Sequence, residues 1–207
     1  MKKYAAEFIG TFILVFFPTG AITVSSESNG LITHGQIAII FGLTVMTMIL
    51  LFNKISGAHI NPAVTLGLAL SKKLSRKKIL PYIIAQISGA LLASFAVLMI
   101  FPNNKYIGAT IPTVSSIECF VIELVLTLIL MIGVLRSPTR YAPLIIGGIV
   151  ALEAFFLGKL TGASMNPARS LAPAIVSGHT EFLWIYLTAP VIGAVLAVYA
   201  NKLSVLK

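Results

Sequence analysis

Two tripeptides in this chain have the residue types that start a helix at an unusual depth: Asn61-Pro62-Ala63 and Asn166-Pro167-Ala168. Asparagine is a preferred N-cap, because its side-chain oxygen accepts a backbone N–H of the first turn. Proline suits the first helical position, where its missing N–H is not needed. Each tripeptide opens a short apolar run, 61–70 and 166–176. Neither is long enough to cross a hydrocarbon core of about 30 Å, so both read as re-entrant half-spans. The chemistry they offer is electrostatic. A helix start carries about +0.5 of a charge, and two of them head to head repel cations. An ion dehydrated there without replacement ligands pays on the order of tens of kcal/mol; a neutral solute does not.

Six glutamates are the only acidic residues, and some lie inside apolar runs. Glu7 and Glu123, each followed four residues later by a threonine (Thr11, Thr127), are functional candidates by default in a membrane. We read them as loop supports, accepting hydrogen bonds from the neighbouring re-entrant segment, because a proton relay would leak the gradient. Glu153 is open to three readings: it faces a loop, a subunit contact or a pore. His59, just before the first half-span, reads as backbone support. His179 reads as a solvated outer-loop residue, and for both a pH-sensing role is the rival. His34 reads as a span end and Cys119 as packing. No catalytic triad, metal-ligand set or cofactor motif stands out.

These residues need a frame that only a bilayer supplies. The chain has 207 residues, 57% hydrophobic and 10% charged, with a mean hydropathy of +0.99. Soluble domains carry about 25% charged residues, so a soluble enzyme, a disordered chain and a disulfide scaffold (one cysteine) are excluded. Six runs are candidate spans: 4–24, 35–52, 80–100, 117–135, 143–157 and 182–200, the fifth being short. The expected fold is an all-α membrane protein of six transmembrane helices plus two re-entrant half-helices.

The chain also repeats. Ser56-Gly57-Ala58-His59-Ile60-Asn61-Pro62-Ala63 returns as Thr161-Gly162-Ala163-Ser164-Met165-Asn166-Pro167-Ala168, 105 residues on. Gly89-Ala90 returns as Gly193-Ala194, and Glu7 with Thr11 is echoed by Glu123 with Thr127. The reading is a first repeat over 1–105 (half-helix 61–70) and a second over 106–207 (half-helix 166–176), each with three spans. An odd number of crossings forces the second half to run inverted. The Gly-Ala pairs read as close helix contacts.

The formal charge is +9, and its distribution sets the orientation. Lys2, Lys3, Lys54, Lys72, Lys73, Arg76, Lys77, Lys78, Arg136, Arg140, Lys202 and Lys207 fall on the side of the termini, against Lys105, Lys159 and Arg169 opposite. The excess places both termini in the cytoplasm. A nucleic-acid partner would need a basic face on a soluble domain and is not expected. The basic start followed by an apolar run reads as a retained span rather than a signal peptide, because Glu7 interrupts it. A multi-pass protein of the plasma membrane is the expected location.

The paired Asn-Pro-Ala motifs within an inverted repeat resemble the aquaporin, or major intrinsic protein, family. The resemblance covers essentially the whole chain. It implies a pore in each subunit of a homotetramer within the bilayer. It further implies that Asn61 and Asn166 donate N–H bonds to solutes at the pore centre, interrupting proton relay. Arg169 would line the outer constriction, together with Phe41, Ala154 and Ala163. Water-selective members usually have histidine where this chain has Ala154, so the filter reads as wide and half apolar. The run 162–171, with Tyr186-Leu187, looks most like the nodulin-26-like branch, though Phe41 is less typical of it. Glycerol facilitators usually carry aspartate where this chain has Ser170. The expected function is a passive channel for water and small uncharged solutes, glycerol and metalloid acids among them. An ion-coupled secondary transporter of a neutral solute is the alternative.

Overall fold

The computed structural model describes residues 1–205, which form eight α-helices. They are α1 (Lys2–Glu27), α2 (His34–Ser56), α3 (Pro62–Leu70), α4 (Ile79–Ile100), α5 (Ser116–Arg136), α6 (Ala142–Thr161), α7 (Pro167–Ser177) and α8 (Leu183–Val205). Six are long and apolar enough to cross a membrane; α3 and α7 are the two short ones. A single 3-10 turn, Arg76–Lys78, leads into α4. Lys207, counted above with the basic residues, lies outside the described residues.

Local chemistry explains the boundaries. Thr33 caps α2 in a reciprocal box with Gln36, and Ser115 caps α5 in the same way with Glu118; such boxes satisfy two orphan donors at once. At the other ends, Gly57 after α2 and Gly162 after α6 adopt φ of 94° and 87°. That left-handed conformation closes a helix cheaply only with glycine. The fifth span therefore runs on past Leu157 to Thr161. The sequence window ends early because Gly158 and Lys159 dilute its apolar character.

The long helices bury one side and leave large apolar residues on the other, such as Leu50 on α2, Met99 on α4 and Phe156 on α6. A soluble protein would not tolerate so many exposed apolar side chains; facing lipid, they need no cover. Close pairs form where side chains vanish. α1 packs on α4, α5 on α8 and α2 on α6. A Cβ on Gly89 would run into the Phe8 carbonyl oxygen, and one on Gly193 into that of Leu124. A Cβ on Gly42 would lie 2.6 Å from the Gly147 oxygen. Small residues let helix backbones touch in a membrane, where no hydrophobic effect draws them together.

The half-helices sit inside this shell. α3 packs against α8 and α7 against α4, so each belongs structurally to both ends of the chain.

Candidate pore

The short helices meet start to start. Asn61 Oδ1 accepts the Ala63 N–H at 2.8 Å, capping α3, while its Nδ2 donates to the Met165 carbonyl at 2.8 Å. Asn166 Oδ1 accepts the Ala168 N–H at 3.0 Å and the Arg169 N–H at 3.4 Å, and its Nδ2 donates to the Ile60 carbonyl at 2.9 Å. Each asparagine thus caps its own helix and grips the loop of the other.

The loops that aim those carbonyls are strained. Ala58 and Ile60 have φ of 47° and 44°, and Ala163 and Met165 of 39° and 52°. Left-handed backbone at non-glycine residues costs about 1–3 kcal/mol each and persists only where the surroundings over-determine it. The two buried glutamates provide that. Glu7 Oε1 accepts the His59 N–H at 3.0 Å and its Oε2 the Ile60 N–H at 2.7 Å. Glu123 Oε1 accepts the Ser164 N–H at 2.9 Å and the Thr161 hydroxyl at 2.8 Å, and its Oε2 the Met165 N–H at 2.8 Å. A hydrogen bond to a charged group is worth about 1.5–3 kcal/mol, so these contacts offset the strain.

A second layer braces the first. The Tyr82 hydroxyl donates to the Ser56 carbonyl at 2.8 Å, and that of Tyr186 to the Thr161 carbonyl. Gln86 Nε2 donates to Glu7 Oε2 at 2.8 Å and to Thr65 Oγ1 at 2.9 Å. Thr65 spends its one hydroxyl proton on the Asn61 carbonyl. His59 Nδ1, 3.2 Å from Thr65 Oγ1, must therefore carry the hydrogen of that contact, which leaves Nε2 an acceptor. In the second half Ser164 and Ser170 take these places, their hydroxyls 2.6 Å apart.

Arg169, in the first turn of α7, is only 2% exposed. A terminal guanidinium nitrogen (Nη1) donates to the Gly108 carbonyl at 2.9 Å, and Cζ stands 5.2 Å from the centre of the Phe41 ring. Arg169, counted above on the side opposite the termini, is thus a buried charge. The connection between α4 and α5 brings Gly108 to it: Asn104 Oδ1 accepts the Ile107 N–H at 2.8 Å. Gly108 has a φ of 76°, and a Cβ there would lie 2.6 Å from Thr19 Cβ. Only glycine fits this approach.

A cavity of about 360 Å³ runs from Lys73, Ser137 and Thr139 to Asn61, Asn166 and Arg169. Its wall is largely apolar, with Leu14, Val45, Ile49, Val64, Leu130, Ile146 and Val150 among the lining residues. Phe41, His59, Asn61, Ala163, Asn166 and Arg169 all line it. Pro62, Ala63, Pro167 and Ala168 are buried in the helix starts behind it. Ala154 is buried and does not line it, whereas Ile49, 105 residues earlier on α2, does. Glu7 and Glu123 are fully buried behind the loops.

Other residues find plain places. Cys119 is buried against the Tyr186 hydroxyl. His34 Nε2 lies 2.8 Å from the Phe155 carbonyl oxygen, and the His179 ring 4.7 Å from that of Tyr106. Among the described residues no group of three or more His, Cys or Glu could hold a metal. Sequence reading missed Gly108, which acts through its backbone, and Gln86 and Thr65. The spacing of Tyr82 and Tyr186, 104 residues, is a usable signal for the bracing pair.

A passage of this kind has relatives. Residues 1–201 match the family model described as Major intrinsic protein. The chain is 40% identical over 210 residues to Aquaporin NIP1-1 of Zea mays, covering 98% of this chain and 74% of that protein. It is 36% identical over 202 residues to Nodulin-26 of Glycine max, covering 94% and 74%. The solved aquaglyceroporin from Plasmodium falciparum superposes with a TM-score of 0.87 at 27% identity, covering 100% of this chain and 99% of that one.

Proposed function

Because the chain belongs to the major intrinsic protein family, and is a multi-pass membrane channel for water and small uncharged solutes, we propose a pore between Asn61 and Asn166. The observation that carries this reading is the crossed pair of asparagine bonds, each amide donating to the opposite loop. Those bonds use one N–H of each amide and leave the other for a passing solute. Two helix starts of about +0.5 charge each face that point, so protons and cations are opposed there.

The outer constriction is assigned to Phe41, Ala163 and Arg169, which line the cavity, together with Ala154, which is buried and does not line it as the channel stands. Small side chains at residues 154 and 163 leave room there, and the apolar wall suits the carbon face of a polyol. The solutes are therefore water, glycerol and undissociated metalloid acids such as boric acid. Glu7, Glu123 and His59 hold the loops and take no part in transport. The repeats 1–105 and 106–207 enter the membrane in opposite senses. Four such subunits assemble in the plasma membrane with both termini cytoplasmic, an orientation that the excess of basic residues on that side supports.

A swelling panel on proteoliposomes tests the reading, comparing water, glycerol, urea and boric acid. Flux proportional to the gradient for water, glycerol and boric acid, without ionic current, is the expected result. Saturation with proton dependence would reverse it in favour of a coupled transporter.

A further inference from the structure

The connection between α3 and α4 concentrates positive charge. Lys72, Lys73, Arg76, Lys77 and Lys78 put five basic residues within seven positions. The segment is folded rather than loose. Lys72 turns it at a φ of 63°, and the Lys73 and Leu74 N–H groups both bond to the Leu68 carbonyl, at 2.9 and 3.1 Å. Arg76–Lys78 then form the 3-10 turn that leads into α4. Lys73 is engaged elsewhere: its ammonium donates to the Leu135 carbonyl at 3.1 Å, at the end of the passage away from Arg169. The side chains of Lys72, Arg76, Lys77 and Lys78 are exposed or half-buried, and among the described residues none has a hydrogen-bond or ion-pair partner.

Among the described residues nothing on that face of the molecule neutralises this charge. The Tyr4 and Tyr82 rings meet edge to face with centres 5.8 Å apart, and Arg136 Nε donates to Asn201 Oδ1 at 2.9 Å. With the Lys73–Leu135 bond, these contacts bring the starts of α1 and α4 and the ends of α5 and α8 to one face. Glu27, Glu118 and Glu181 lie at the opposite ends of α1, α5 and α8, and Glu7, Glu123 and Glu153 are buried. Membrane orientation needs only an excess of cations on one side. It does not need four of them in one short connection, where they repel one another with no anion between. The adjoining residues are apolar and face outward. Leu80, two residues after the turn, is 66% exposed, and Ile84, one turn further along α4, is 55% exposed. A cation cluster directly beside a lipid-facing helix is the combination that recognises an anionic headgroup.

We propose that Lys72, Arg76, Lys77 and Lys78 form a binding site for the headgroup of an anionic phospholipid whose acyl chains lie along Leu80 and Ile84. Under the orientation proposed above, the lipid comes from the cytoplasmic leaflet; the site itself needs only the cations and the lipid face. The phosphodiester meets Arg76 through its planar fork, and the lysines act on it as point charges. Binding also clamps the end of α3, because the same connection hangs on the Leu68 carbonyl. The lipid thereby steadies the half-helix that starts at Asn61.

The test is thermal melting of the full chain in a nonionic detergent, titrated with short-chain phosphatidylglycerol or phosphatidylcholine. Phosphatidylglycerol should raise the melting temperature to a plateau, and phosphatidylcholine should leave it unchanged. The triple variant Arg76→Gln, Lys77→Gln, Lys78→Gln should need at least about tenfold more phosphatidylglycerol for half the gain. The triple variant Lys2→Gln, Lys3→Gln, Lys54→Gln removes the same charge elsewhere on that face and should stay within about twofold of wild type. Should the first triple not fold, Lys77→Gln alone, at an exposed position, is read in the same direction with a smaller shift. Equal behaviour of the two triple variants, or of the two lipids, overturns the proposal, as does an equal gain from inorganic phosphate. Solute passage is read separately by the swelling panel, so a lipid gain that follows residues 76–78 stands even where the channel reading falls.

Discussion

Arg169 and Phe41 meet across the two halves of the chain, the guanidinium carbon 5.2 Å from the ring centre. One comes from the first turn of α7 and the other from the first half of α2. A cation over an aromatic face gains about 0.5–2 kcal/mol as it is desolvated. The contact, with the Gly108 carbonyl on the other side, holds a permanent positive charge against the passage.

Removing that charge should let ions in. A cation at about 4 Å from Arg169, at an effective dielectric of about 20, is repelled by about 4 kcal/mol. Arg169→Ala should therefore raise proton or small-cation permeability well above that of wild type. A pH-sensitive dye trapped in proteoliposomes measures it, and background leakage in the variant would show that the arginine is no barrier.

The size of the constriction is separately adjustable. Ala154→His adds an imidazole where the chain has a methyl, so glycerol flux should fall while water flux is spared. A glycerol-to-water ratio equal to that of wild type in the swelling assay would mean that residue 154 does not border the route.

The glutamate supports have a stability signature. Glu7→Gln puts an amide where an oxygen now accepts backbone N–H groups of His59 or Ile60. At least one charge-assisted bond is lost, worth about 1.5–3 kcal/mol, and the strained loop is freed. The variant should melt at lower temperature in detergent and lose water permeability, and Glu123→Gln should behave alike. A melting curve that matches wild type for both would remove the supporting role.

Helix contact gives a further pair. Gly193→Ala forces a methyl onto the Leu124 carbonyl, and overpacking of a rigid contact costs about 1–3 kcal/mol. Gly148→Ala has open space around its Cβ and should be neutral or mildly stabilising. Thermal stability of the two alanine variants, side by side, separates contact from propensity; equal melting would show that the α5–α8 approach has slack.

Much of this arrangement is legible in the chain itself. Asn61-Pro62 and Asn166-Pro167 announce helix starts through residue chemistry alone, and the helices begin at those prolines. The long spans follow from apolar length, with ends misjudged where a helix continues through polar residues. One such end is that of α2, which runs on through Asn53 and Lys54 to Ser56 before Gly57 turns it off. The Gly108 contact is not legible, because a carbonyl has no residue type and the 101–115 connection has no period. Glu153 stands out in the sequence as an anomaly, and only tertiary packing shows that it is buried.

The crossed asparagine bonds also set an order of events during synthesis. The ribosome delivers Asn61 about a hundred residues before Met165, at about 5–20 residues per second. For those seconds the Asn61 amide lacks its carbonyl, and α3 lacks the α8 surface on which it rests. The first half-helix is thus seated by the arrival of the last helix, and a truncated chain has a doorway with one jamb.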